Sequence, residues 1–339
     1  MIVIDGSQGE GGGQVLRTSL ALSLLTRTPF RIENIRAKRK TPGLLRQHLT
    51  AVNASAQVGD AAVEGASVGS ASLTFLPKTI RSGDYAFAIG TAGSTMLVLQ
   101  TILLPLALAD APSTLELEGG THNPSAPPFD FMARAFLPLL RRMGANVELE
   151  LERPGFYPAG GGKIRVRIAP AKKLARLELE ERGALTTRCA RAVVANLPWT
   201  IAEREAKAAV AELEWPEECI EAHTLTGSAG PGNLISIIAG FEHVTDVFTA
   251  FGERGVRAEI VAHNAAKQAR RYINSNAAVG EHLADQLLLP LAVGEGGSFT
   301  TTPLSGHAST NIETIRRFVD REITATPITS GITRVVVGR

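Results

Sequence analysis

The chain has 339 residues, 44% of them hydrophobic, which is enough to bury a sizeable core and to divide into more than one lobe. The longest apolar stretch, 96–109, is interrupted by Gln100 and Pro105, and residues 1–5 lack a charged segment leading into an apolar one, so neither a membrane span nor a secretion signal is expected. Net charge is only +2, and the two cysteines, Cys189 and Cys219, form no CxxC pair and stand near no histidine cluster, which argues against a disulfide framework and a zinc site and fits a cytoplasmic protein, or a nuclear one in a eukaryote.

Taken in chain order, one unit recurs three times, in its order of elements rather than in its letters. In the first unit, GEGGGQVLR at 9–17 opens a helix predicted to run through Leu24, and a strand follows at 30–35. A second helix is expected from Pro42, where Leu45, Leu49, Val52 and Ala56 advance by four, three and four residues, as one helix face requires. Six basic residues (Arg31, Arg36, Lys38, Arg39, Lys40 and Arg46) stand here against the single acid Glu33, a pattern that suits an anion site or, on composition alone, a solvated loop. In the second unit, Gly93-Ser94-Thr95 begins a helix through Leu108 and a strand follows at 114–117. Ala126-Pro127-Pro128 then opens a helix to Met143, proline being suited to a helix start because its missing N–H is not needed there. The third unit runs from 278–280 through a helix at 281–292, a strand near Phe299 and a helix at 310–319, and closes with strands at 322–325 and 333–337.

Between the second and third units, 185–262 reads as a separate small α/β lobe. Its expected elements are a strand at 190–197, a helix at 201–213, further strands and a helix near 244–254, with turns at Leu197-Pro198 and Gly230-Pro231-Gly232. The expected fold class is therefore α/β (α+β), with a large domain holding two units over 1–183, the inserted lobe over 184–275 and the third unit over 276–339.

Glycine-rich loops before helices can receive phosphates, because the free N–H groups and the positive end of the helix dipole point at the ligand. GEGGGQ lacks the Lys-Ser/Thr ending of a P-loop and the spacing of a dinucleotide fingerprint, so by itself it is equally a tight turn. Arg17 lies one helical turn beyond Gly13, and Glu10 sits in the loop as a possible metal ligand. His307 stands in Ser305-Gly-His-Ala-Ser-Thr310, just before a capping box predicted from Thr310 and Glu313. A helix start disfavours a second positive charge on an imidazole and so preserves a lone pair able to attack phosphorus. A capping or surface histidine would show the same pattern.

Seven segments carry a resemblance: GEGGGQ (9–14), PGLLRQH (42–48), GTAGS (90–94), GGTHNPSAPP (119–128), GFYPAGGG (155–162), GEHLADQL (280–287) and the His307 segment. Together, in order and over nearly the whole chain, they resemble the RNA 3'-terminal phosphate cyclase family. The resemblance implies three repeats of a two-helix, four-stranded unit similar to the C-terminal domain of translation initiation factor three, with a small α/β insert before the last. It implies an ATP-dependent ligase that converts an RNA 3'-phosphate to a 2',3'-cyclic phosphate through AMP carried on His307, aided by Mg2+ or Mn2+. Position by position it places the metal-binding acid on Glu10, phosphate-site cations on Arg17, Arg36 and Arg39, and a polar active-site residue on Gln47. Around the nucleotide it places Gln100, Pro127, Phe131, Leu283, Ala284, Asp285 and Gln286. His282 stands where the bacterial enzymes are expected to carry a tyrosine against the adenine. Two alternatives are a ribosome-assembly scaffold of the same family, against which the presence of His307, Glu10 and Arg17 speaks, and an enolpyruvyl-type transferase of related architecture.

Overall fold

Four four-stranded sheets, each with its own helices, make up the structure, a computed structural model that describes residues 1–338. Arg339, the last residue expected in the third unit, lies outside the described residues. The first sheet comprises β1 (Ile2–Asp5), β2 (Phe30–Glu33), β3 (Ala62–Glu64) and β4 (Leu73–Leu76), with helices α1 (Gly13–Thr26) and α2 (Arg46–Val58). The second comprises β5 (Asp84–Ala88), β6 (Ser113–Gly119), β7 (Asn146–Arg153) and β8 (Gly162–Ala169). Helix α3 (Thr95–Ala107) crosses over within it, and α4 (Phe129–Phe131) and α5 (Leu137–Arg142) are joined by a widened π-helical turn at Met132–Phe136.

The chain then lays down β9 (Leu177–Leu179) and leaves for the insert: β10 (Leu185–Ala195), α6 (Trp199–Leu213), β11 (Ile220–Thr224), β12 (Gly232–Phe241), β13 (Thr245–Phe251) and α7 (Ala258–Ile273). It returns through α8 (Glu281–Val293), β14 (Gly297–Thr301), α9 (Gly306–Ile315), β15 (Ile323–Thr329) and β16 (Ile332–Val337).

The strand orders are β1-β2-β4-β3, β5-β6-β8-β7 and β9-β14-β16-β15, so one topology recurs three times. In each, the first two strands are parallel and joined by a helical crossover, and the last two form an antiparallel pair. The insert interrupts the third crossover, between β9 and α8. β9 therefore pairs with the third sheet although it falls within the stretch expected to hold only the first two units.

Local sequence explains the elements. β12 is mostly apolar and every residue is buried, as a central strand covered on both faces requires, its two polar residues Asn233 and Ser236 being hydrogen-bonded to Glu205 and Thr249. In the insert, Ala202, Ala206 and Ala209 of α6 and Ala262, Ala265, Ala266 and Ala269 of α7 form small-residue faces that let the two helices pack closely. The stretch near 244–254 is strand β13 and not a helix: its threonines and aromatics favour a pleated surface, and the helix follows at α7. The last helix starts earlier than predicted, with Ser305 as its cap. Ser305 Oγ accepts from the Ala308 N–H at 3.1 Å, while the Thr310 hydroxyl donates back to the Gly306 carbonyl at 2.7 Å from inside the helix. Helix α2 begins at Arg46, because residues 36–43 form a loop that the Arg36 guanidinium closes onto the Thr41 and Gly43 carbonyls at 2.7 and 2.8 Å. One continuous apolar core joins the second and third sheets to the insert, and a smaller core around Leu16, Leu20, Phe30 and Phe75 fills the first unit.

Candidate active site

Helix α1 packs against α3 and α9, and α9 packs against α8, so that the starts of α1, α8 and α9 bound one cleft. His307 is the second residue of α9 and is exposed. Its Nδ1 lies 3.0 Å from Gln14 Oε1. The Gln14 amide nitrogen in turn donates to Asp285 at 2.7 Å (Oδ1) and 3.0 Å (Oδ2), and Asn311 Nδ2 donates to Asp285 Oδ1 at 3.1 Å. The carboxylate fixes which end of the Gln14 amide is the donor, so the Gln14 oxygen must accept, and Nδ1 of His307 must carry the proton. In the neutral imidazole this tautomer leaves the lone pair on Nε2. Burial raises the Asp285 pKa above the usual carboxylate value, and the hydrogen bond from Gln14 opposes that rise.

The glycine loop before α1 collects the positive groups. A Cβ on Gly12 would stand 2.9 Å from the Arg39 guanidinium, and one on Gly13 would stand 2.3 Å from His48 Nε2 and 2.9 Å from Arg17 Nη1. Only hydrogen side chains let these groups come so near the backbone N–H groups of the helix start. Burial pushes the Arg17 pKa down to about 10, opposed by the charge of Asp285, so Arg17 remains a cation at neutral pH. His48 is buried, and desolvation with the charges of Arg17 and Arg36 pushes its pKa down to about 3, so it is neutral. Its Nδ1 accepts from the Leu45 N–H at 3.2 Å, which leaves the proton on Nε2, facing the glycine loop.

Glu10 is tied to both sides of the cleft. Its N–H donates to Thr310 Oγ1 at 3.2 Å, its carbonyl accepts from Arg39 at 3.1 Å, and its carboxylate lies against Gly306, where a Cβ would stand 2.4 Å from Oε1. Gln47 Oε1 accepts from the Ser94 N–H at 2.6 Å and so links α2 to the second glycine loop. Arg36 adopts a left-handed backbone at φ 56° and spends one terminal nitrogen on two carbonyls; burial and the neighbouring Arg39 lower its pKa.

Behind His307 opens a cavity of about 590 Å3, within the ~300–1,000 Å3 span of small-molecule sites. Its wall includes Arg17, Gln100, Pro127, Phe131, Asp285 and Gln286, with His282 and His307 at the start of their helices. Gln100 donates a short hydrogen bond to the Gln286 side chain. His282, Asp285, Gln286 and Leu289 stand at i, i+3, i+4 and i+7 and present one face of α8 to the cavity. Leu283 and Ala284 point the other way and are fully buried in the core, so their side chains do not reach the cavity. The structure thus brings His307, Arg17, Gln100, Pro127, Phe131, His282, Asp285 and Gln286 together around one space, with Glu10, Arg36, Arg39 and Gln47 at the glycine loops beside it.

Sequence reasoning missed Gln14, Asn311 and the donor role of His48, although Gln14 and His48 lie within segments it singled out. It also missed one entire wall. Thr249 and Phe251 of β13 and Asn264 and Gln268 of α7 line the cavity from the insert, which nothing in their local pattern announces.

The profile of the RNA 3'-terminal phosphate cyclase family matches residues 8–325. An RNA 3'-terminal phosphate cyclase of Ectopseudomonas mendocina (strain ymp) is 53% identical over 334 residues, 98% of this chain and 97% of the relative. Those of Ralstonia nicotianae and Koribacter versatilis are 55% and 54% identical, over 95% and 94% of this chain and 93% and 90% of their own lengths. On this match along nearly its full length, the chain belongs to the RNA 3'-terminal phosphate cyclase family.

Proposed function

We propose that the protein uses ATP to convert an RNA 3'-phosphate end to a 2',3'-cyclic phosphate, with His307 as the covalent carrier of AMP. The observation that carries this reading is the Asp285–Gln14–His307 chain of hydrogen bonds, which holds Nδ1 as the donor and turns Nε2 to the mouth of a nucleotide-sized cavity. Nε2 attacks the α-phosphorus of ATP, the bond from that phosphorus to the bridging oxygen breaks, and pyrophosphate leaves with the electron pair. The RNA 3'-phosphate oxygen next attacks the same phosphorus and breaks the P–N bond, which returns His307 to its free state. The neighbouring 2'-OH then attacks the terminal RNA phosphorus, loses its proton and expels AMP. Activation is needed because a phosphate monoester dianion is a poor electrophile until one oxygen becomes part of a good leaving group. Ring closure starts from a tethered hydroxyl with an effective concentration on the order of 10⁵ M or more, so it asks little further of the enzyme.

This chain's residues have separable tasks. Arg17 and Arg39, with the Nε2–H of neutral His48, supply charge and hydrogen bonds to phosphate oxygens at the start of α1. The cavity between Pro127, Phe131 and the polar face of α8 takes the adenosine. A hard divalent ion such as magnesium keeps most of its waters and binds through one or two carboxylates together with substrate phosphate oxygens. Glu10 would hold that Mg2+ or Mn2+, which would neutralise triphosphate charge. Substrate recognition through the terminal phosphate and sugar predicts little sequence preference.

The test is incubation with α-labelled ATP alone. The protein becomes covalently labelled through a bond that acid breaks and alkali spares, as P–N chemistry requires, and His307→Ala abolishes the label. Label retained in that variant would sink the assignment.

A further inference from the structure

A second, smaller cavity of about 380 Å3 adjoins the first and shares Leu97, Pro124, Ser125 and Ala126 with its wall. It is bounded by Gln47, the loop at 91–94, Asn123 and the Tyr157-Pro158 turn. Nothing in the ATP reaction described above occupies it.

Two features of its wall point to a ligand. Tyr157 is 67% exposed, yet its support is rigid: the preceding Phe156 is buried, stacks on the His122 ring at 5.0 Å, and accepts the Gly160 N–H at 2.7 Å. Gly160 in turn lies against Ala92, where a Cβ would stand 2.8 Å from the Ala92 Cα. An aromatic ring held in water on so fixed a turn forgoes burial that a core position would give it, and such rings are the usual platform for an unstacked base. The second feature is Asn123, only 7% exposed, whose amide nitrogen donates to the Ala92 carbonyl and whose Oδ1 has no partner in the protein. The bond to a carbonyl fixes the amide's orientation, so the unpartnered atom is an acceptor. A buried acceptor without a donor is destabilising, and a nucleoside brings hydroxyl and amino donors.

Resting on the reading given under Proposed function, we infer that this cavity seats the 3'-terminal nucleoside of the RNA, with its base stacked on Tyr157. The placement puts the RNA end next to Gln47 and beside the wall shared with the nucleotide cavity, and it keeps the base in an aromatic contact that tolerates any sequence.

The experiment compares the parent with Tyr157→Ala and Tyr157→Phe, on 3'-phosphorylated oligoribonucleotides that end in adenosine or in an abasic residue. Tyr157 is exposed, so the fold survives its truncation. Tyr157→Ala raises the KM for the adenosine-ended RNA by about tenfold or more, Tyr157→Phe restores it, and labelling by ATP alone is retained. The abasic end raises the parent's KM by a similar factor, and Tyr157→Ala adds nothing on that substrate. A parent-like KM in Tyr157→Ala overturns the inference. So do effects of the variant and the abasic end that multiply, because the ring then touches something else. Slowed labelling by ATP alone overturns it too, since the cavity would then serve ATP. Failure of the underlying reading registers differently, as a parent that neither labels with ATP nor forms a cyclic end.

Discussion

Which nitrogen of His307 carries the proton is decided by Asp285, two hydrogen bonds away, with Gln14 as the intermediary. Removing that intermediary leaves the imidazole free to rotate and to place its proton on Nε2, where it would block attack. Gln14→Ala is therefore expected to slow labelling by ATP by about tenfold, the worth of one well-placed hydrogen bond, and to lower thermal stability modestly, because the buried Asp285 loses its donor while Asn311 remains. An unchanged labelling rate would show that His307 needs no such orientation. Legibility divides sharply at this scale. His307 and Asp285 could be singled out because each lies in a distinctive local segment, but the bonds that give them roles link positions 293 and 271 residues apart through Gln14. A glutamine at a helix start looks the same whether it faces water or a nucleophile. Leu283 and Ala284 show the reverse failure: they share the segment of Asp285, yet a helix turns adjacent residues to different faces, and theirs is the core.

Elements were legible where one period dominated. Helices α1, α3, α6 and α8 begin and end within a few residues of their predicted bounds, because each has a continuous apolar pattern and a glycine, serine or proline near its start. Helix α9 was misplaced because its sequence offers two starts. Thr310 and Glu313 have capping-box spacing, but Ser305 caps first and the helix then runs through Thr310 without a break. The difference matters to chemistry, since the true start puts His307 among the free N–H groups of the first turn and Gly306 against the Glu10 carboxylate. Gly306→Ala tests that contact. Alanine suits a helix start, and the atom in its way is the mobile end of a glutamate, so melting temperature should stay within about 1 °C of the parent. Glu10 must swing aside, however, and the rate of cyclisation should fall by about tenfold or more through lost placement at the phosphates. A variant that is folded and fully active would free Glu10 of any role fixed by that position.

At the scale of the whole molecule, the repeated order of elements was legible because each unit restates the same sequence of helix and strand patterns. The attachment of the insert was not, since β9 is three residues long and finds β14 only after the entire insert has been threaded between them. The insert is also where a buried charge shapes the stability of the protein. Glu205, fully buried on α6, accepts one hydrogen bond from Asn233 at 2.8 Å, and its Oε1 has no partner. Burial raises its pKa from 4.5 to about 7, against the pull of Asn233. Below pH 4.5 the carboxyl is protonated in folded and unfolded chains alike. Between 4.5 and 7 the folded chain holds a proton that the unfolded chain has lost, so this group's contribution to stability declines as pH rises and is fully lost above about 7. Asp246, raised to about 7 by burial, acts in the same sense. His48 and His122, pushed down to about 3 and 4, act oppositely and lower stability as pH falls below 6.5. A single substitution separates these trends. Glu205→Gln keeps the shape and the acceptor for Asn233 while removing the titration, so at about pH 4, below the unfolded pKa of 4.5, its melting temperature should lie close to the parent's. At pH 8.5 it should exceed the parent's by several degrees, because the parent then carries a buried unpaired charge costing about 3 kcal/mol. Melting curves of both proteins at the two pH values decide the matter: an equal difference at both would mean that Glu205 meets water or a cation in the folded protein and is not the buried acid its surroundings describe.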